Sequence, residues 1–400
     1  MTFSKIGLTN NILKAITDLG FETPTPIQQE AIPFVLAEET DLIALAQTGT
    51  GKTAAFGLPI IQKINDSRNQ TQSIILCPTR ELCLQITKDL ETYSKYMKKL
   101  KVTAVYGGAN IQTQIRALNS GSQIVVGTPG RVIDLINRKK LKLKDVEFVV
   151  LDEADEMLNM GFKDDLDTIL AETPEEKQTL LFSATMPKKI RELANKLLKN
   201  PASISLAISK PAAGITQLAY MCYDSQKIDL VREILKTKGK SLSHVLVFAS
   251  SIKSVREIKR TLNKAGMRSS EMHSGLEQEQ REQTIREFKS KKIRILVATD
   301  ILSRGIDIKG IELVINYEVP HDAEDYVHRI GRTARADRTG EAITFINPKQ
   351  VRDFMDIEKL IEKEVPKLNL PKKFTEAPKY QILAKEKKKK KWKNYQKKHN

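Results

Sequence analysis

The chain carries two successive trains of short apolar runs, separated by stretches with helical periodicity. The first train runs through 42–46, 73–77, 102–106, 124–127, 148–151 and 179–183. The second runs through 218–223, 244–249, 268–272, 293–298, 313–317 and 342–346. Those of the first train are mainly β-branched and aliphatic, and they alternate little. A strand wet on one face alternates apolar with polar residues, so such runs suit strands covered on both faces, as in a parallel sheet. Helical stretches such as 80–96 and 188–198, then 254–265 and 278–288, supply the crossovers that parallel pairing requires. The pattern predicts an α/β chain of two tandem doubly wound parallel-sheet domains. Ligands of such sheets bind beyond the carboxyl ends of the strands, and two such domains in tandem can form a site in the cleft between them.

The pattern breaks near Asn200-Pro201, and Pro211 and Gly214 follow. The expected organisation is a first domain over 1–206, a linker over 207–216 and a second domain over 217–365. Beyond 366 the apolar pattern decays into a run of five lysines, 387–391, followed by Trp392 and Tyr395, which reads as a disordered basic tail. Of the formal net charge of +17, +11 sits in 366–400, from thirteen Lys and two Glu, so the first 365 residues carry only +6. That balance draws polyanions, and lysines beside aromatics suit phosphate attraction with base stacking. Three cysteines without a C-x-x-C pair exclude a disulfide framework or zinc ribbon. No apolar run nears the ~18 residues of a membrane span, and the first residues lack the apolar core of a signal peptide. The expectation is a cytoplasmic protein.

The run 42–46 leads into Ala46-Gln-Thr-Gly-Thr-Gly-Lys-Thr53, a phosphate-binding loop between a strand and a helix. Gly49 and Gly51 let backbone N–H groups turn inward, and the helix N-terminus adds partial positive charge. Lys52 should reach the β- and γ-phosphates of ATP, and the Thr53 hydroxyl should bind Mg²⁺. A second metal anchor and a group to orient water are then needed. Asp152, just past an apolar strand, fits the first role, and Glu153 is the candidate general base.

Asp-Glu-Ala-Asp at 152–155, together with the phosphate loop, resembles the DEAD-box ATP-dependent RNA helicases. The likeness runs from Phe3 to Ile346, with further motifs in the family's order. It implies RecA-like domains, ATP and Mg²⁺ as cofactors, and RNA as partner. Gln47, Thr48, Gly49, Thr50, Gly51, Lys52, Thr53 and Ala54 would form the nucleotide cradle. Gly20-Phe-Glu-Thr-Pro-Thr-Pro-Ile-Gln28 matches the motif that reads adenine, with Phe21 and Gln28 as contacts and Phe3 as the isolated upstream aromatic. Ser183 and Thr185 match the coupling motif. In the second domain, His328-Arg-Ile-Gly-Arg-Thr-Ala-Arg335 would place His328, Arg332 and Arg335 in the catalytic set, the two arginines as fingers on the γ-phosphate. Arg329, Arg332 and Arg335 recur every three residues, so one helical turn is expected to align them. Asp307 resembles the residue that binds the ribose. Ala334 stands where the family usually has Gly, a variant resembling the bacterial RhlE-like branch.

Thr79, Arg80, Gly108, Thr128 and Arg131 match motifs that contact the RNA backbone, and Gln278, Arg281 and Thr299 resemble their partners in the second domain. Backbone contacts carry little base information, so RNA binding should be nearly independent of sequence. The resemblance implies ATP hydrolysis stimulated by RNA, coupled to domain closure and local unwinding of short duplexes. An ATP-gated RNA clamp and a DNA-directed helicase are the alternatives.

Overall fold

The structure is a computed structural model that describes residues 2–37, 40–46, 49–205, 214–238, 242–300, 310–320, 322–333, 340–374 and 376–381. The first unit contains β1 (Leu42–Leu45), β2 (Ser73–Leu76), β3 (Val102–Val105), β4 (Ile124–Gly127), β5 (Phe148–Asp152), β6 (Gln178–Ser183) and β7 (Ala202–Ser205). Its helices are α1 (Asn10–Asp18), α2 (Pro26–Ala37), α3 (Lys52–Lys63), α4 (Arg80–Tyr93), α5 (Ile111–Asn119), α6 (Pro129–Asn137), α7 (Ala154–Asn159), α8 (Lys163–Ala171) and α9 (Lys188–Leu197). The second contains β8 (Ile215–Met221), β9 (Val245–Phe248), β10 (Ser269–Met272), β11 (Ile295–Ala298), β12 (Leu313–Asn316), β13 (Gly340–Ile346) and β14 (Lys367–Leu368). With them go α10 (Lys227–Lys238), α11 (Ile252–Lys264), α12 (Gln278–Lys289), α13 (Ala323–Ile330) and α14 (Val351–Leu360).

Each unit is one seven-stranded sheet, with orders β3-β4-β2-β5-β6-β1-β7 and β10-β11-β9-β12-β13-β8-β14. Numbered from its own first strand, the second order is identical to the first. Every strand pairing is parallel. The weak alternation of the apolar runs has the cause expected of it. Val149 and Leu151 of β5 enter one core while Phe148 and Val150 enter the other. Both faces of the strand are dry, so no polar alternation survives.

The edges depart from the sequence reading. β7 pairs with β1, although only Ile204 of Ala202–Ser205 is buried, too little apolar signal to mark a strand. The second sheet starts at Ile215, inside the expected linker, whose residues 207–213 lie outside the described ones. The second unit also continues past 365. Lys367–Leu368 adds to β8, Phe374 packs against the core under α10 and α11, and the Tyr380 hydroxyl donates to Glu358 at 2.6 Å. The expected tail therefore begins too early. Residues 366–381 are lysine-rich, yet a few apolar anchors fasten them to the fold, and charge density alone did not reveal those anchors. Residues 382–400 lie outside the described residues, as do Gln47, Thr48, Asp307, Ala334 and Arg335.

Candidate nucleotide and RNA sites

Parallel pairing in register brings the strand ends to one rim. The Ala46 N–H at the end of β1 donates to the Ser183 carbonyl at the end of β6, and Asp152 of β5 lies beside Phe182. The phosphate loop, the acids and the coupling motif therefore meet over β5-β6-β1. The loops after β3, β4 and β2, with Gly108, Thr128 and Arg80, line the other half of the rim. Strand order has split one edge into two sites.

In the nucleotide half, Gly51 sits at φ +89° and caps α3. A side chain there would be strained and would collide with Gln28. Lys52, Thr53 and Ala54 open α3, and Gly49 and Thr50 precede it. Lys52 is buried, and its Nζ has no hydrogen-bond partner among the described residues. It lies 3.8 Å from Asp152 Oδ1. A buried, unsatisfied ammonium is costly unless an anion arrives. A polyphosphate fits that vacancy in hydrogen bonding. Burial raises the Asp152 carboxyl from its ordinary pKa, and Lys52 draws it back down. A divalent cation beside Asp152 and the Thr53 hydroxyl would relieve the same penalty, so the donors present suit Mg²⁺.

Glu153 is buried at φ +53°, ψ 50°, a left-handed conformation uncommon for a residue with a side chain. Such strain of ~1–3 kcal/mol persists only where surroundings impose it. Asp155 accepts from the Thr185 hydroxyl at 3.1 Å, and the Thr185 N–H points at Ser183 Oγ at 3.4 Å. The acid loop is thereby tied to the end of β6. Gln28 receives the Thr25 N–H at 2.9 Å and donates to the Gly51 carbonyl at 3.1 Å. It thus braces the phosphate loop. Phe3 is buried and stacks on Phe21 with centroids 6.2 Å apart, supporting a ring that keeps one side open to solvent.

In the RNA half, Thr79 caps α4 by accepting from the Leu82 N–H at 3.2 Å. Gly108 lies at φ +82° directly under the Arg80 guanidinium, where a side chain would collide. Arg131 braces this loop, donating to Gln114 at 2.8 Å and to the Ala109 carbonyl at 3.2 Å. The Thr128 N–H is held by the Val105 carbonyl at 3.0 Å. Across from these, the Thr299 N–H donates to the Met272 carbonyl at 3.1 Å, and α12 begins at Gln278. Arg80 Nη1 donates to Gln278 Oε1 at 3.3 Å, and Arg281 pairs with Glu81 at 2.6 Å. Both contacts join the first unit to the second, and Arg281 and Glu81 are both buried. Sequence reasoning missed Glu81, because an acid in the first turn of a helix reads as a dipole partner.

The second unit's arginines do not line up as their spacing suggested. α13 ends at Ile330, so Arg332 lies in a turn beyond it, its Nε donating to the His328 carbonyl at 3.2 Å. Arg329 faces inward instead. It grips Asp300 with two bonds of 2.6 and 2.8 Å, donates to the Glu318 carbonyl at 3.2 Å and lies 5.3 Å over Phe248. That is a structural anchor, and Asp300 was invisible as its partner in sequence. His328 is buried with Nδ1 4.0 Å from Asp325.

Comparison with known proteins gives the same outline. The family model described as DEAD/DEAH box helicase matches residues 25–193, and the one described as Helicase conserved C-terminal domain matches 226–337. The ATP-dependent RNA helicase CshA of Listeria monocytogenes is 47% identical over 370 residues, covering 92% of this chain and 70% of its own. The structure of S. cerevisiae Dbp5 bound to RNA and ADP BeF3 superposes with a TM-score of 0.85 at 30% identity, covering 92% of this chain and 95% of the other. A DEAD box protein from the hyperthermophile Methanococcus jannaschii is 43% identical and covers 92% of this chain and 99% of its own, yet its TM-score is 0.55. The more similar sequence superposes less well over the whole chain.

Proposed function

The chain belongs to the DEAD/DEAH box helicase family and is an ATP-dependent RNA helicase, and from that premise we propose how its two rims divide the work. Lys52 and the loop 46–53 hold the β- and γ-phosphates. Phe21 and Gln28 hold adenine, and Gln28 relays that contact to the loop through Gly51. Mg²⁺, held by Thr53 and Asp152, supplies charge neutralisation at the phosphates. Glu153 orients and deprotonates water. Arg332 completes the site from the second domain, joined by Arg335, Asp307 and His328 in the family's pattern. Hydrolysis then requires both walls, so closure gates the chemistry.

RNA enters through the other half of the rim. Thr79, Arg80, Gly108, Thr128 and Arg131 meet its backbone from one side, and Gln278, Arg281 and Thr299 from the other. The observation that carries this reading is the apposition of the two RNA rims through Arg80–Gln278 and Glu81–Arg281. A strand spanning both rims favours closure, which in turn favours hydrolysis. Strain on that strand destabilises a short duplex locally. Residues 382–400 add phosphate contacts and base stacking through Trp392 and Tyr395. No described helix is long and apolar enough to cross a membrane, and the three cysteines are free and buried; the proposed compartment is the cytoplasm.

ATP turnover measured with and without RNA tests the reading. RNA should raise turnover, and Glu153→Gln should remove about 10² or more of the stimulated rate. Turnover in the intact chain that ignores RNA would overturn it.

A further inference from the structure

The apolar face of α11, with Val255, Ile258 and Leu262, packs under the second sheet beside β10 and β11. Its outer face carries Lys253, Arg256, Arg260 and Lys264, all exposed. Spacings of three, four and four residues place them in one stripe. Arg268 and Lys292 line a shallow groove at its lower end. No carboxylate oxygen lies within 4.0 Å of any of these six cations among the described residues. Of the α11 cations, Lys259 has such a partner, Glu271 at 3.1 Å. Some other surface cations are paired: Arg138 with Asp134 at 2.7 Å, Lys196 with Asp167 at 2.7 Å and Arg232 with Asp229 at 2.9 Å.

Such a stripe works against its own helix. Arg256, Arg260 and Lys264 repel at i,i+4 spacing, and Lys253 sits near the positive end of the helix dipole. Glu257, which lines the same groove as Lys253, Arg256 and Arg260, is the one acid of α11, so four exposed cations stand against one carboxylate on this face. The stripe also has a direction. α11 starts just beyond β9, on the rim that bears Gln278 and Thr299, and runs back along the outside of the sheet toward its β10 edge. At 1.5 Å per residue, Lys253 and Lys264 stand about 16 Å apart along the axis, room for about three phosphates of an extended strand.

We propose that this face is an accessory RNA track, taking the phosphates of single-stranded RNA that continues beyond the segment held between the rims. The track rests on the helicase reading and extends it. Contact is to the backbone alone, so it adds affinity and salt dependence without base preference. The RNA-length dependence of binding follows from it.

The test uses the full chain, so that residues 366–400 are common to every sample. Wild type is compared with the triple variant Arg256→Gln, Arg260→Gln, Lys264→Gln, on unstructured RNAs of about 10 and about 25 nucleotides, across about 50 to 300 mM salt. The triple variant should bind the longer RNA about 5- to 10-fold more weakly at low salt, with a log–log salt slope shallower by about 2. Its affinity for the short RNA, and the ATPase stimulated by that RNA, should match wild type. The charge-keeping variant Arg256→Lys, Arg260→Lys should bind both RNAs as wild type does. Unchanged affinity and slope on the longer RNA would overturn the track, and so would an equal loss on both lengths. Stimulation by the short RNA tests the helicase reading, and the length-dependent loss tests the track, so the two can fail separately.

Discussion

Both sheets follow one strand order, and both place a buried lysine at the start of the helix after their first strand. In the first, Lys52 follows Gly49 and Gly51, and its ammonium lacks a hydrogen-bond partner. In the second, Lys227 follows Cys222-Tyr-Asp-Ser-Gln, a connection with no glycine. Lys227 pairs with Asp224 at 2.7 Å and lies 5.6 Å from the centre of the Tyr317 ring. Only the lysines differ, since the acids that follow are alike: burial raises the pKa of both Asp152 and Glu318, and each accepts a backbone N–H, from Glu153 at 3.1 Å and from Ser250 at 2.9 Å. One rim leaves its lysine without a hydrogen bond, and the other pairs its lysine from within. The fold is repeated, but the capacity to bind an anion depends on which polar groups lack partners at the strand ends.

The second rim contributes arginine instead, and the largest expected effect separates its two described arginines near α13. Arg332→Ala should cost about 10³-fold or more in RNA-stimulated turnover, as loss of a charge on the developing phosphoryl does, with the melting temperature nearly kept. Arg329→Ala should do the reverse in kind, unfolding the second domain earlier because Asp300 and the Glu318 carbonyl lose their donor. Calorimetry beside steady-state ATPase reads both. Equal thermal losses in the two variants would erase the distinction.

The paired lysines give a smaller effect. Lys52→Ala should lower stimulated turnover by about 10²-fold, the range for deleting one preorganised donor. Lys227→Met should leave turnover within about twofold, and cost about 1–2 kcal/mol of stability through the lost pair with Asp224. Loss of turnover in Lys227→Met comparable to that in Lys52→Ala would mean that the second lysine is not structurally silenced.

What the sequence revealed followed from how each feature is encoded. The central strands were legible because burial on both faces forces unbroken apolar runs, as at Ile74–Cys77 within β2 and the residue after it. β7 and β14 were not, because an edge strand can be held by backbone bonds with one buried side chain or none. The phosphate loop was legible because glycine and lysine are needed at fixed offsets. The alignment expected of Arg329 with Arg332 failed because three-residue spacing looks helical whether or not the helix continues, and α13 stops at Ile330. Glu81 acts through Arg281 in the other unit, and Asp300 acts through Arg329, 29 positions on. No local pattern encodes such pairs; only the folded arrangement brings them together.

The smallest expected effect concerns the seam between the two sheets, and it decides what Arg281 does. By resemblance Arg281 is an RNA contact, yet here its guanidinium is buried against Glu81. Burial pulls the arginine's pKa down and Glu81 opposes that pull, so separating the sheets would break the ion pair while relieving the burial. If the pair is a closure clasp, Glu81→Gln should raise the RNA concentration for half-maximal ATPase about 10-fold, with RNA-free turnover unchanged. The exchange Glu81→Arg with Arg281→Glu should recover most of that loss, a coupling of about 1–3 kcal/mol across the seam. A direct RNA contact predicts the opposite, because a carboxylate at 281 would repel the backbone and the exchange would be worse than either single change. The sign of the coupling thus distinguishes a residue that joins the two sheets from one that touches only what lies between them.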